Sequence, residues 1–156
     1  MGNNGVLDSN IKIQPSPDGL AQAFILSEKF LQGAPSTLVL GDNIFFGDGL
    51  SKLLNEASKQ TVGATVFGYH VINPESYGVV DFKKNGTVKS IIEKPKTPKS
   101  NYAVTGLYFV DATTPQRAKE IKSSAHGELE ITTFLETYLF EETLKVAKIR
   151  ERLRMA

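Results

Sequence analysis

The chain alternates between two spacings of apolar residues, one of helices and one of strands, and their order predicts a layered α/β fold. From Asp18 onward Leu20, Ala23, Phe24, Ser27, Phe30 and Leu31 recur on one helical face. Asp18 stands where an N-cap is expected, and Gln32-Gly33-Ala34-Pro35 ends the helix. Thr37 to Leu40 is a short unbroken apolar run, the pattern of a strand buried on both faces. A second helix is expected from about Asp48, carrying Leu50, Leu53, Leu54 and Ala57.

The β-branched and aromatic run from Ala64 to Ile72 then predicts a strand. Tyr77–Phe82 and Thr87–Ile92 flank Lys83-Lys84-Asn85-Gly86, where Asn-Gly signals a hairpin. A further strand is expected at Ala103–Val110, helices near 115–122 and 129–142, and a last strand at Leu144–Ile149. Residues 1–10 are polar and glycine-rich and read as loop or frayed terminus, and Ile11-Lys12-Ile13 as a short strand. The expected architecture is a Rossmann-like layered sandwich on a mixed, mostly parallel sheet, with ligands at the carboxyl ends of strands. No linker or internal repeat divides residues 1–156, so a single domain is expected.

Composition narrows the function classes. The formal net charge is +1, which gives no electrostatic case for a nucleic-acid or membrane partner. The chain has no cysteine, so disulfides, a thiolate nucleophile and cysteine-ligated zinc are excluded. His70 and His126 lie far apart, without the spacing of metal ligands. No apolar run approaches membrane-spanning length, and a cytoplasmic protein is expected.

Two stretches carry the candidate chemistry. Gln14-Pro15-Ser16-Pro17-Asp18-Gly19 holds two prolines and a glycine, which force a rigid bent loop that offers backbone N–H groups to a ligand. Leu38-Val39-Leu40-Gly41-Asp42-Asn43 ends an apolar strand on a carboxylate. Asp42 there is a candidate Mg²⁺ ligand, because that ion takes few protein ligands alongside water and phosphate oxygens. An aspartate in this position also starts turns, so the residue alone leaves both readings open. Glu93-Lys94-Pro95 places both charge signs at a strand end, suited to sugar hydroxyls and a phosphate or to a solvated ion pair. Tyr77-Gly78 sets a glycine where either a ligand or a bulge would need one.

Together these segments resemble the sugar-nucleotide transferases, above all those of the glucose-1-phosphate thymidylyltransferase type. The resemblance runs from about Gln14 to Ile149, through Gln14–Phe24, Leu40–Gly47, Gly63–Tyr69, Tyr77–Val80, Glu93–Pro95, Pro98–Phe109 and Gly127–Thr132. It implies a nucleotide-diphospho-sugar transferase fold, and transfer of a thymidylyl group from dTTP to glucose 1-phosphate. The products would be dTDP-glucose and pyrophosphate, for deoxysugar synthesis of the dTDP-rhamnose type and cell-surface polysaccharide. It implies that Gln14, Pro17 and Gly19 form the nucleotide site and that Asp42 binds Mg²⁺ beside the nucleotide. Asn43, Tyr77, Gly78, Glu93, Lys94 and Val104 would form the sugar site, with Lys94 and Asp42 acting in catalysis. Homo-oligomers, expected as tetramers, are implied as well.

The resemblance is also incomplete. The family's glycine-rich phosphate loop, of the form G-G-x-G-T-R-L, has no counterpart here, and 150–156 depart from the family pattern. The expectations are an incomplete fold, an off-family tail left by a frameshift, and negligible transferase activity of this chain alone. The alternatives are a non-catalytic sugar-nucleotide-binding module, or a uridylyl or cytidylyl transferase of the same family.

Overall fold

The computed structural model describes residues 10–47, 49–124, 127–149 and the backbone of 153–155. In chain order it contains α1 (Gln22–Leu31), β1 (Ser36–Val39), β2 (Phe45–Gly47), α2 (Leu50–Ser58) and β3 (Ala64–His70). A 3-10 turn (Pro74–Ser76), β4 (Val79–Phe82), β5 (Val88–Ile92) and β6 (Tyr102–Val110) follow. The last elements are α3 (Thr114–Glu120), α4 (Ile131–Phe140), β7 (Leu144–Lys148) and β8 (Leu153–Met155).

The main sheet runs β5–β4–β6–β3–β7, with β1 also on β6. At nine residues, β6 is long enough to serve three neighbours. Along one edge it pairs with β3. Its other edge takes β4 at Ala103 and β1 from Leu107 to Val110. Because neighbouring residues of a strand face opposite ways, adjacent positions feed two separate cores. Val66 and Tyr108 join Phe24, Phe134, Leu135 and Tyr138 under α1, α3 and α4. Phe67 and Leu107 join Ala57 and Ile149 under α2. This is the layered α/β sandwich that the two periodicities predict.

The sheet is mixed, as expected, but the expected parallel majority is corrected. Among the described residues β3–β7 is the parallel pair of the main sheet, and its other pairs are antiparallel. Two local causes account for this. The hairpin turn at Gly86 (φ 86°) folds β5 back along β4, with Lys83 N–H donating to Thr87 O at 2.8 Å. β6 then runs against β1, β3 and β4 alike.

Asp18 does not cap α1. Ala21 holds the N-cap position without a side-chain bond, and the Asp18 carboxylate instead accepts from Ser16 Oγ and Gln22 Nε2, both at 2.6 Å. β1 alternates between half-buried and exposed positions instead of being buried on both faces, and Val39 is 55% exposed. Residues 11–13 form no strand. The expected start of α2 at Asp48, His126 and residues 1–9 lie outside the described residues. Of the tail, 150–152 and 156 are likewise outside, while the 153–155 backbone pairs with β2.

The far end of β6 is fixed by a buried carboxylate. Asp111 is 5% exposed and accepts from Gly63 N–H (2.6 Å), Thr113 N–H (2.9 Å), Thr113 Oγ1 (2.5 Å) and Tyr138 O–H (3.1 Å). Burial acts to raise its pKa, but the bonds from Thr113 and Gly63 outweigh that, and its carboxyl titrates below the ordinary aspartate value. The network ties β3, β6 and α4 together at the end of β6 remote from Val104.

Candidate functional site

The proline-stiffened loop closes on itself before it meets anything else. Asp18 N–H donates to Ser16 O at 2.8 Å, and the Gln14 side-chain amide donates to Gly19 O at 3.2 Å. Gln14 and Pro17 remain exposed. Gly19 adopts φ +99°, a conformation that side chains disfavour, and a Cβ there would lie 2.6 Å from the backbone N and O of Leu129. Leu129 N–H donates to Asp18 O at 2.6 Å, and Ala21 N–H donates to Leu129 O at 3.3 Å. The loop is thus seated on the extended segment that leads into α4.

That segment continues to a second cluster. Thr132, at 3% exposure, opens α4. A Cβ placed on Gly78 would meet Thr132 Cγ2 at 2.8 Å, Glu93 Oε2 at 3.3 Å and Val104 Cγ2 at 3.9 Å, so three elements close around one glycine. Val104 N–H donates to Gly78 O at 2.8 Å, and Lys94 N–H donates to Tyr77 O at 3.0 Å. Tyr77, Gly78, Glu93, Lys94 and Val104 are therefore neighbours across β4, β5 and β6.

The electrostatics of this cluster centre on Glu93. Burial raises its pKa, Glu130 and Glu128 add to the rise, and the Thr132 hydroxyl and Lys94 oppose it; the net shift is upward. The Tyr108 phenol is also held well above its ordinary range, by burial first and by Glu93 second. A half-buried carboxylate among further acidic groups is primed to accept hydrogen bonds from uncharged donors such as sugar hydroxyls.

Asn43, just past β1, is tied to β6, and Asp42 is tied to Asn43. The β3–β6 register slips between Val66↔Tyr108 and Gly68↔Val104, which leaves a bulge in β6 around Gly106. Leu40 N–H donates to Gly106 O at 2.8 Å, and Gly106 N–H donates to Asn43 Oδ1 at 2.9 Å. Asn43 Nδ2 donates to Asp42 Oδ1 at 2.8 Å. The bulge, two residues from Val104 along β6, thus holds the end of β1, and the Asp42 carboxylate bonded to Asn43 is exposed.

Among the described residues no three metal-ligating side chains gather. One exposed carboxylate suits a cation that completes its shell with water and phosphate oxygens, as Mg²⁺ does. His70 pairs with Tyr102 at the start of β6, the two rings edge-on at 5.7 Å.

A family model described as nucleotidyl transferase matches residues 2–153 of the chain. The chain belongs to the nucleotidyl transferase family. Among curated members, it is 54% identical over 134 residues to glucose-1-phosphate thymidylyltransferase of Neisseria meningitidis, covering 86% of this chain and 46% of the relative. It is 55% identical over 127 residues to that of Xanthomonas campestris (81% and 43% covered). Against that of Mycobacterium tuberculosis the figure is 46% over 148 residues (94% and 51%).

This nucleotidyl transferase chain therefore spans about half the length of the curated relatives it matches. A Bacillus anthracis structure described as a glucose-1-phosphate thymidylyltransferase in complex with sucrose superposes with TM-score 0.80 at 38% identity, covering 91% of this chain and 57% of that one. A UDP-glucose pyrophosphorylase complexed with UDP-glucose superposes at 0.76 with 22% identity (86% and 55% covered), and shares the fold.

Leu129 and Thr132 lie at the centre of the site, yet reading the sequence gives neither a role. Their signal is Gly127-Glu128-Leu129-Glu130-Ile131-Thr132, a glycine followed by an acidic, apolar alternation immediately before a helix.

Proposed function

We propose that this chain recognises a thymidine sugar nucleotide, as the base- and sugar-binding part of a glucose-1-phosphate thymidylyltransferase. The observation that carries the reading is a series of contacts joined by two short stretches of chain, Leu129 to Thr132 and Val104 to Gly106. It passes from Gly19 to Leu129, through Thr132 to Gly78, Glu93 and Val104, and by Gly106 to Asn43 and Asp42.

In this reading Gln14 and the loop backbone present donors and an acceptor to the thymine edge, with Pro17 holding the bend. Glu93 accepts from hydroxyls of the glucose, over a floor of Gly78 and Val104 and beside Tyr77 and Asn43. Lys94, exposed at the strand end, pairs with the sugar phosphate as a point charge. The reaction is an in-line transfer. An oxygen of glucose 1-phosphate forms a bond to the α-phosphorus of dTTP, the α–β bridging bond breaks, and pyrophosphate leaves with that electron pair. Asp42 is the residue that would hold Mg²⁺, and the bound ion would supply neutralisation of charge on the phosphates. The part of this chain is positioning: the loop fixes the base, the sheet end fixes the hexose, and Lys94 turns the phosphate toward the reacting centre.

Calorimetric titration of dTDP-glucose and UDP-glucose into the purified protein tests the reading. Saturable binding is expected, tighter for dTDP-glucose. Preference for UDP-glucose would move the assignment to a uridylyl transferase, and heats indistinguishable from dilution for both ligands would overturn it. Pyrophosphate release from dTTP and glucose 1-phosphate with Mg²⁺ then separates a catalytic chain from a binding module.

A further inference from the structure

Resting on that reading, we infer that Glu128–Thr132 is a positioning strap. Its backbone seats the base-reading loop and its far end sets Glu93, so that the two halves of the site are ordered as one unit. Leu129 and Thr132 are the positioning residues.

The contacts at the two ends of the strap differ in kind. At Leu129 they are backbone to backbone, with the N–H donating to Asp18 O at 2.6 Å, the carbonyl accepting from Ala21 N–H at 3.3 Å, and the space a Gly19 side chain would need filled by Leu129 itself. At Thr132 they are made by the side chain, whose methyl fills the space beside Gly78 and whose hydroxyl bonds the Glu93 carboxylate. Only three residue steps separate these ends, a reach of about 10 Å when extended.

The strap is also held from outside. Ser124 N–H donates to Glu128 O at 2.8 Å on one side, and Phe134 N–H donates to Glu130 O at 3.1 Å as α4 begins on the other. Glu130 itself is extended, with ψ 135°. So short a segment, bonded along its length, transmits a displacement at Leu129 to Thr132 because slack is absent. Lys94, Glu128, Glu130 and Tyr108 are the charged and titratable groups around Glu93, and two of these, Glu128 and Glu130, belong to the strap.

Reciprocal perturbation of the ligand-free protein tests the strap, with amide hydrogen exchange and the ¹³C titration of the Glu93 carboxyl as readouts. On the sugar side, Thr132→Val is expected to speed exchange of the Leu129 amide by about tenfold, and Thr132→Ser to restore it. On the loop side, Gly19→Ala is expected to move the Glu93 titration midpoint although it cannot touch that carboxyl. Ser16→Ala, which removes only the bond to Asp18, gives a milder version should Gly19→Ala fail to fold. Effects confined to the mutated half, in both directions, overturn the proposal.

Thymidine separates this inference from the functional reading. Binding that protects Leu129 and shifts Glu93 supports the strap, and binding without a Glu93 response overturns it. If thymidine does not bind while the variants still cross-talk, the base assignment falls and the strap stands.

Discussion

Replacing Asp111 by alanine is expected to cost about 3 kcal/mol of unfolding free energy, because several donors lose their acceptor at once inside the fold. Gly63 N–H, Thr113 N–H, Thr113 Oγ1 and Tyr138 O–H all point at this one carboxylate, which is 5% exposed. Buried donors left without partners keep their full desolvation penalty, so the loss exceeds that of a single surface bond. In urea the midpoint falls by about 1.5 M, taking a slope of about 2 kcal/mol per molar for a chain of this size.

The pH dependence of this contribution has a definite sign. The folded carboxyl titrates below its unfolded value, so its stabilisation is present above the unfolded pKa and is lost as pH falls through the depressed folded one. Asp111→Asn keeps the shape and one acceptor oxygen, and is expected to flatten that acid limb. Ligand affinity of the folded variants should not change, since Asp111 touches no candidate site residue. A midpoint unchanged by Asp111→Ala would show that the network carries no stability.

Glu93→Gln is expected to weaken dTDP-glucose binding by about 10- to 100-fold, the equivalent of one or two charge-assisted hydrogen bonds at about 1.5–3 kcal/mol. Binding of thymidine should change much less, by no more than the factor through which the strap couples the loop to Glu93. Stability should move the other way. Glu93 titrates above its ordinary value when folded, through burial and Glu130. Its ionised form therefore opposes folding, and the stability present below the unfolded pKa is lost as pH rises through the folded one. The glutamine variant should melt with the native protein at low pH and above it at neutral pH. Thermal melts across that window, together with calorimetry, measure both effects. Parallel loss of affinity and stability would mean that Glu93 is a structural residue.

The fold was largely legible because its signals are local. The Asn85-Gly86 turn, the apolar run of β3 and the helical face of α1 each follow from the spacing of a few side chains. Strand direction was not legible in the same way. Whether a neighbour runs parallel or antiparallel depends on where β6 inserts, and nothing in the pattern of β6 alone states that. The burial of β1 was misread for a related reason: Leu38 and Leu40 are apolar and packed, but Val39 between them is exposed.

Asp18 shows how local chemistry competes. Ser16 and Gln22 side chains offer hydrogen bonds that replace the capping bond its position suggests. The site residues themselves were named from motif, but how they meet could not be. Gly19 reads as part of a bent loop, but what demands a glycine there is Leu129, far along the chain, which fills the space where a side chain would be.

The central claim is that the loop, the strap and the sheet end bind one ligand together. Mapping amide and methyl NMR shifts of the labelled protein as dTDP-glucose is added tests it most directly. The predicted result is a contiguous set of perturbed residues that includes Gln14 to Gly19, Leu129 to Thr132, Gly78, Glu93 and Val104. Perturbations confined to the loop, or centred on the separate groove lined by Leu53, Gln60, Lys145 and Val146 between α2 and β7, would contradict it.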